Sequence, residues 1–378
     1  MMILAVILAI FLYGMIAATL GTILPDLSER FHLTPKQNGN IAFAQALGLI
    51  LASLAVGPLL DAEGKKVGLV LGVVLILIAI SALPRSKGYK SLLLLLFVLG
   101  VGGGIVITGA NALASDVGGA HRASILNLVN LFFGLGGFVI PFIAANIFSK
   151  KWVRLCYAIA VFTVLALVFE IATKMPGPTG AHSFVAGDLG HVLGRPAILL
   201  LDLLLFLYVS CEVGVWNWLP RHLIAQGIPE SRALNILSIG FALGLLIGRF
   251  AASSVLIRAS AISVVLGASC AMAVTTFLML KTKRPVIALV LVGLAGLAMA
   301  PVFPTTLAIV GNVSPQMSST AIGLAITCGW IGLAVSSRVI GGIAGGDPLR
   351  LRKALMVIPG SAVLMIVLTL VIRAMLHG

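Results

Sequence analysis

Long apolar runs dominate this sequence of 378 residues. A helix that crosses a membrane needs about 20 mostly apolar residues, and about twelve runs approach that length. In the first half they are Met2–Leu24, Gly39–Leu60, Val67–Leu83, Ser91–Ala114, Ala123–Ile147 and Val153–Thr173. In the second half they are Ala197–Leu219, Ala233–Leu256, Ala261–Leu280, Pro285–Val310, Ser318–Ile343 and Ala354–Met375. The pattern predicts an all-α polytopic membrane protein with twelve transmembrane helices.

The composition excludes an ordinary soluble domain. Hydrophobic residues make up 60% of the chain and charged residues 10%, whereas a soluble domain carries about 25% charged residues. The first run begins at the initiator methionine without a basic segment before it or a small-residue cleavage site after it, so it is interpreted as a retained span and not a signal peptide.

The sequence predicts two halves of six spans each. Between Lys174 and Arg195 the apolar pattern breaks into a segment rich in proline and glycine, which is typical of a connector. The predicted organisation is an N-terminal six-helix bundle (residues 1–173), a linker (174–195) and a C-terminal six-helix bundle (196–378). Parallel halves of this kind predict a binding site between them, near the middle of the bilayer.

One short loop carries an unusual density of charge. Between the second and third runs, the segment from Gly57 to Lys66 places two acids and two lysines within six positions. The glycines permit a sharp turn and close helix packing, and the Asp61 carboxylate is suited to accept hydrogen bonds from a helix N-terminus. The residues predicted to form a conformational gate are Gly57, Asp61, Gly64, Lys65 and Lys66.

Polar side chains inside the spans are few, and such groups usually face a cavity because they are costly in lipid. The candidates for contact with a solute are Gln45, Asn111, Asn130, Glu212, Asn217, Thr305 and Trp330. Amides exchange hydrogen bonds with hydroxyl groups, and an indole stacks on the apolar face of a sugar ring. Arg249 and Arg338 lie near span ends and are expected to reach the interface, so a neutral solute is favoured over an anion.

These patterns resemble a known family of transporters. The spacing Gly-x-x-x-Asp-x-x-Gly-x-Lys from Gly57 to Lys66 resembles the loop signature of the major facilitator superfamily. The stretches Tyr208–Leu219, Pro301–Ala308 and Leu126–Asn130 resemble spans seven, ten and five of its fucose–galactose–glucose:proton symporter family. The resemblance implies two six-helix bundles, cytoplasmic termini, alternating access, and sugar contact by the amide at Asn130.

The chain also departs from that family. Fucose permease uses acidic residues within spans one and four, whereas span four here reads Ile-Val-Ile-Thr-Gly-Ala-Asn up to Asn111, without an acid. Glu212 is therefore the candidate for proton coupling, with uncoupled transport or another ion as alternatives. Asp202 and Glu170 lie nearer helix ends and are interpreted as structural.

Several function classes remain open at this point. The leading hypothesis is a sugar transporter, secondary active or facilitative; the alternatives are a drug or metabolite exporter and a non-transporting sensor. An enzyme is not expected, because the histidines lack the spacing of metal ligands and no phosphate-binding loop occurs. Neither a cofactor nor a metal is therefore predicted.

The charge distribution bears on partners and orientation. The net charge is +14, but the basic residues are scattered over many loops, so nucleic acid is not a predicted partner and membrane lipid is. With cytoplasmic termini, eight basic residues fall inside and seventeen outside, opposite to the positive-inside rule. The predicted location is a cell membrane, such as a bacterial inner membrane, with the protein as a monomer.

Overall fold

The computed structural model describes residues 1–148, 151–178, 190, 192–345 and 348–377, and these are almost entirely helical. The helices of the first half are α1 (Met2–Arg30), α2 (Pro35–Glu63), α3 (Lys65–Ala82), α4 (Tyr89–Gly118), α5 (Arg122–Asn146) and α6 (Trp152–Ala172). Those of the second half are α7 (Pro196–Ala225), α8 (Glu230–Asn235), α9 (Leu243–Val255), α10 (Ala261–Met279), α11 (Pro285–Met299), α12 (Val302–Val313), α13 (Ser318–Ala344), α14 (Pro348–Leu355) and α15 (Val357–His377).

Eleven helical segments of the described chain are long and apolar enough to cross a membrane, judged by length and composition. One of them, Tyr89–Ala144, is 56 residues long and holds both α4 and α5. Counting these two helices separately brings the number to the predicted twelve. The predicted fold class, an all-α polytopic membrane protein, is therefore confirmed.

Two of the spans are interrupted. Spans eight and ten are each divided into shorter helices. In span eight a π-helical segment, Ile236–Ala242, joins α8 to α9, and in span ten α11 ends at Met299, just before Pro301. Proline removes a backbone hydrogen bond and clashes with the preceding turn, so it ends or bends a helix. Membrane helices tolerate such breaks where neighbouring groups satisfy the freed backbone atoms.

The chain forms two compact units. Unit 1 comprises Met1–Gly119, Val129–Gly190 and Ser314–Thr327, and unit 2 comprises Ala120–Leu128, His191–Val313 and Cys328–Gly378. Each unit thus includes a short stretch from the other half of the sequence. The boundaries 1–173, 174–195 and 196–378 stay a prediction, because most of the connection lies outside the described residues.

Glycines set the close approach of helices inside unit 1. A Cβ built on Gly100 of α4 would collide with the backbone carbonyl of Gln45 in α2, and one on Gly136 of α5 would collide with the carbonyl of Phe11 in α1. Small residues let backbones approach closely in lipid, where helices associate through van der Waals packing. The glycines of α4 and α5 therefore position the polar residues on the same helices.

We expect Gly100→Ala to lower the melting temperature of the purified protein, because the added methyl group must displace backbone. Overpacking of this kind costs about 1–3 kcal/mol. Gly39→Ala in α2 is the matched control, since a Cβ there meets nothing within 4 Å. Equal melting temperatures for the two variants in detergent would contradict this account of the packing.

Candidate functional site

Asp61 lies at the centre of a polar cluster at the end of α2. Its carboxylate accepts hydrogen bonds from the backbone N–H of Ser319 at 3.1 Å, and from the N–H and hydroxyl of Thr320 at 2.9 and 2.7 Å. Ser319 and Thr320 belong to the first turn of α13, whose N–H groups have no partner within the helix. Asp61 therefore caps α13 from outside, and its charge also opposes the positive end of the helix dipole.

Two glycines shape this cluster. A Cβ on Gly57 would lie 2.5 Å from the Cα of Thr320, so only glycine allows α2 to approach α13 this closely. Gly64 has a φ of 92°, a conformation that residues with a side chain rarely adopt. It separates α2 from α3 in a single residue, and this sharp turn keeps Asp61 and Lys65 together.

Lys65 is buried and connects two acids. Its Nζ lies 3.0 Å from Oδ2 of Asp116 and 3.8 Å from Oδ1 of Asp61. Asp116, near the end of α4, also accepts a hydrogen bond from the Ser318 hydroxyl at 3.0 Å. Sequence reasoning missed Asp116, although an acid at the end of an apolar run was a visible signal. Lys66 instead donates to the carbonyl of Ile171 at 2.7 Å, which ties α3 to the end of α6.

A second polar feature of unit 1 is a pair of buried amides. Nδ2 of Asn130 in α5 donates to Oδ1 of Asn111 in α4 at 2.8 Å, and Nδ2 of Asn111 donates to the carbonyl of Ile107 at 2.8 Å. The ring of Tyr13 stacks on Phe133, one turn beyond Asn130, with centroids 5.4 Å apart. Unit 1 thus holds a pair of uncharged hydrogen-bonding groups and, one turn along α5, a stacked aromatic pair.

Unit 2 contains a buried amide contact of its own, between Asn127 and Thr305. Nδ2 of Asn127 donates to the Thr305 hydroxyl at 2.9 Å, and both residues are fully buried. Oδ1 of Asn127 and the hydroxyl of the adjacent Thr306 have no hydrogen-bond partner among the described residues. Neither Asn127 nor Thr306 is among the residues predicted from the sequence to contact a solute.

The remaining candidates are distributed over both units. Gln45, in unit 1, is half-buried, and its carbonyl is the one that Gly100 faces. In unit 2, Glu212 is half-buried and Asn217 is exposed. Trp330 is half-buried as well, and its indole N–H is buried without a partner among the described residues. A donor left in this condition is costly, so a ligand or water is its expected partner.

One expectation about charge is wrong. Arg249 was expected to reach the membrane interface, but its exposed fraction is only 5%. It lies in α9 and acts electrostatically on Tyr208, which is fully buried in α7. A guanidinium is therefore buried within a span, and the charge distribution does not exclude an anionic solute. Arg338, by contrast, is exposed.

The sequence profile of the Major Facilitator Superfamily matches residues 6–337, most of the chain. The chain belongs to the Major Facilitator Superfamily. The resemblance stated from the charged loop and the twelve spans is therefore confirmed at the level of the superfamily. The protein is a multi-pass membrane transporter of this fold, in a superfamily whose members are generally not enzymes.

Relatives and solved structures show how widely this fold is used. The protein TsgA homolog of Serratia proteamaculans is 25% identical over 362 residues, covering 91% of this chain and 88% of that protein. The fucose:proton symporter FucP of E. coli has a TM-score of 0.84 at 18% identity, with 98% of each chain covered. The human organic anion transporter MFSD10 has a TM-score of 0.76 at 14% identity, covering 97% of this chain and 98% of that one.

We expect Asp61→Asn to loosen the first turn of α13, because the amide that replaces one carboxylate oxygen cannot accept a hydrogen bond. Removing one partner of a buried hydrogen bond costs about 1–3 kcal/mol, or roughly five- to 150-fold in an equilibrium constant. Hydrogen–deuterium exchange of the peptide containing Ser319 and Thr320 should quicken by that factor. Glu63→Gln is the control, since Glu63 is exposed at the last residue of the same helix; similar exchange in the two variants would rule out the cap.

Proposed function

We propose that this protein carries a sugar, or a similar neutral solute rich in hydroxyl groups, across the membrane by alternating access. The observation that carries the proposal is the amide pair Asn111–Asn130, buried in unit 1. Phe133, on which the ring of Tyr13 stacks, follows Asn130 by one helical turn. An amide donates and accepts at once, so it matches a hydroxyl group, which does the same. FucP, a fucose:proton symporter of the same fold, supports the proposal.

The other candidates fit the same chemistry. Gln45, Asn217 and Thr305 supply neutral donors and acceptors, and Trp330 supplies a flat apolar surface with an N–H donor that lacks a protein partner. We infer that these residues, with Asn111, Asn130 and Glu212, contact the solute. The aromatic surface would cover the apolar face of the ring while the amides hold its hydroxyl groups.

The Asp61 cluster is proposed to act as the conformational gate. Asp61 holds the first turn of α13 by three hydrogen bonds. Lys65 forms ion pairs with Asp61 and Asp116. Gly57 and Gly64 provide the close approach and the sharp turn. A transporter must break one set of such contacts and form another in each cycle. We infer that release of α13 from Asp61, with Lys66 anchoring α3 to α6, accompanies the change of access.

Glu212 is the proposed site of proton coupling. It lies in the middle of α7, where an unpaired carboxylate is costly unless it meets water or a partner. Its half-buried position would let it exchange a proton as access alternates. We further propose a monomer in a bacterial inner membrane with cytoplasmic termini, and halves divided at residues 174–195.

Arg249 favours a second candidate, transport of an organic anion, including an exported drug or metabolite. A buried guanidinium binds a carboxylate through two parallel hydrogen bonds, and Arg249 has 5% of its surface exposed. The human organic anion transporter MFSD10 shares the fold. Tyr208, on which the Arg249 charge acts, would extend such a site into α7.

A panel of solutes tests the proposal by thermal stabilisation, because a ligand that binds only the folded state raises the melting temperature. Monosaccharides and polyols should stabilise the purified protein, and Asn111→Ala or Asn130→Ala should weaken the binding roughly five- to 150-fold, for a loss of about 1–3 kcal/mol. Asn146→Ala, an exposed amide on the same helix as Asn130, is the control.

The same panel separates the two candidates. Stabilisation by aromatic or aliphatic carboxylates, abolished in Arg249→Gln and retained in Asn130→Ala, would replace the sugar hypothesis with anion transport. Stabilisation by neutral sugars that Arg249→Gln leaves unchanged would exclude the anion.

We expect Glu212→Gln to abolish accumulation of the solute driven by a pH gradient in proteoliposomes, while exchange of labelled for unlabelled solute continues. The glutamine keeps the shape of the side chain but cannot carry the proton. Glu230→Gln is the control, because Glu230 is exposed at the start of α8. Uphill transport by Glu212→Gln at the wild-type rate would remove Glu212 from the coupling mechanism.

A further inference from the structure

Asp202 is a buried carboxylate for which the proposed function has no role. It lies in α7, five residues inside the apolar run that begins at Ala197, or about 8 Å along the helix at 1.5 Å per residue. Its exposed fraction is 4%, and Oδ1 has no hydrogen-bond partner among the described residues. Leucine residues precede and follow it in the sequence.

The face of α7 that carries Asp202 packs against α13. Residues three, four and seven positions later, Leu205, Phe206 and Val209, lie on the same face of the helix. A Cβ on Gly329 of α13 would lie 3.0 Å from the Val209 side chain, and one on Gly332 would collide with the carbonyl of Phe206. Asp202 therefore lies one turn before this contact of α7 with the glycines of α13, which we call the glycine seam.

Hydrogen bonds fix the same seam farther along. The Ser210 hydroxyl donates to the carbonyl of Gly332 at 3.0 Å, and the Ser336 hydroxyl donates to the carbonyl of Ser210 at 2.7 Å. Beyond Asp202 the seam is thus closely packed, and its hydroxyl groups are hydrogen-bonded. A charge on Asp202 itself must be hydrated or compensated, or else neutralised.

Among the described residues, the groups that face Asp202 include no cation. On α13 the titratable neighbour is Cys328, which lies within electrostatic range; α12 carries no titratable residue. Arg373 of α15 is exposed, and Arg195 before α7 donates to the carbonyl of Val313 at 2.6 Å. The charged residues of α8 and α14 lie toward the opposite end of α7.

Glu170, at the end of α6 in unit 1, provides a contrast. It is also fully buried, and neither carboxylate oxygen has a hydrogen-bond partner among the described residues. However, the positive charge of Lys66 acts on Glu170, and Lys66 is held nearby by its bond to the carbonyl of Ile171. An ionised Glu170 is therefore partly compensated, whereas an ionised Asp202 is not.

The position of Asp202 also relates it to the division of the chain. Within the continuous helix α13, Ser318–Thr327 belongs to unit 1 and the part from Cys328 onward belongs to unit 2. Cys328, on which the charge of Asp202 acts, is the first residue of the part of α13 that belongs to unit 2.

We propose that Asp202 is a proton-binding site whose occupancy controls the packing of α7 on α13. The carboxylate takes one proton from water and becomes a neutral carboxyl that the closed seam tolerates. When it releases the proton to water, the charge requires hydration and opens the seam at Cys328. The coupling of this step to transport rests on the proposed function, but proton binding itself does not.

Infrared difference spectroscopy of the purified full-length protein tests this directly, without any solute, because a protonated carboxyl has a C=O stretch distinct from that of a carboxylate. Spectra taken across a pH titration should contain a protonated-carboxyl component that disappears in Asp202→Asn. Glu170→Gln should keep that component. Because no solute is added, a failure here is separate from a failure of the sugar hypothesis.

Asp202→Glu keeps the assignment testable if Asp202→Asn does not fold, because it retains the acid with one more methylene. A shift in the frequency or titration midpoint of the component in Asp202→Glu supports the site. A titration identical to wild type in either variant overturns it. Loss of the same component in Glu170→Gln would assign that component to Glu170 and would equally overturn the proposal for Asp202.

Discussion

The hydrocarbon interior of the membrane contains no water, so each polar group must find its partner within the protein. Hydroxyl groups in the spans meet this demand locally. Those of Thr19, Thr163, Ser269 and Thr369 donate to the carbonyl four residues earlier at 2.7 to 2.8 Å. Polar groups that instead reach another helix are therefore informative, because they specify how helices meet or what they bind.

Two kinds of contact combine where helices meet. Glycines such as Gly57 and Gly100 bring backbones close enough for van der Waals packing to hold helices together in lipid. Hydrogen bonds then select the register in which two helices meet. Asp61 accepts one from the first turn of α13, and Asn130 donates one to Asn111. The packing alone leaves the register between two helices open, and the hydrogen bonds fix it.

The buried carboxylates differ in how far their charge is satisfied. Asp61 accepts three hydrogen bonds and lies near Lys65, so its charge supports the contact with α13. Among the described residues, Lys66 is the cation that acts on Glu170, and Asp202 has an oxygen without a partner. An acid whose charge is compensated favours one fixed arrangement, whereas an uncompensated acid suits a group that gains and loses a proton.

The sequence by itself determined the membrane class, the number of spans and the superfamily, because run length and the spacing from Gly57 to Lys66 depend on local order along the chain. It also identified most polar groups worth attention. Only the tertiary structure decided their partners: Asp116 beside Lys65, Asn127 on Thr305, and Arg249 buried instead of at the interface. Burial and pairing depend on which helices become neighbours and how each is rotated, and no local pattern encodes that.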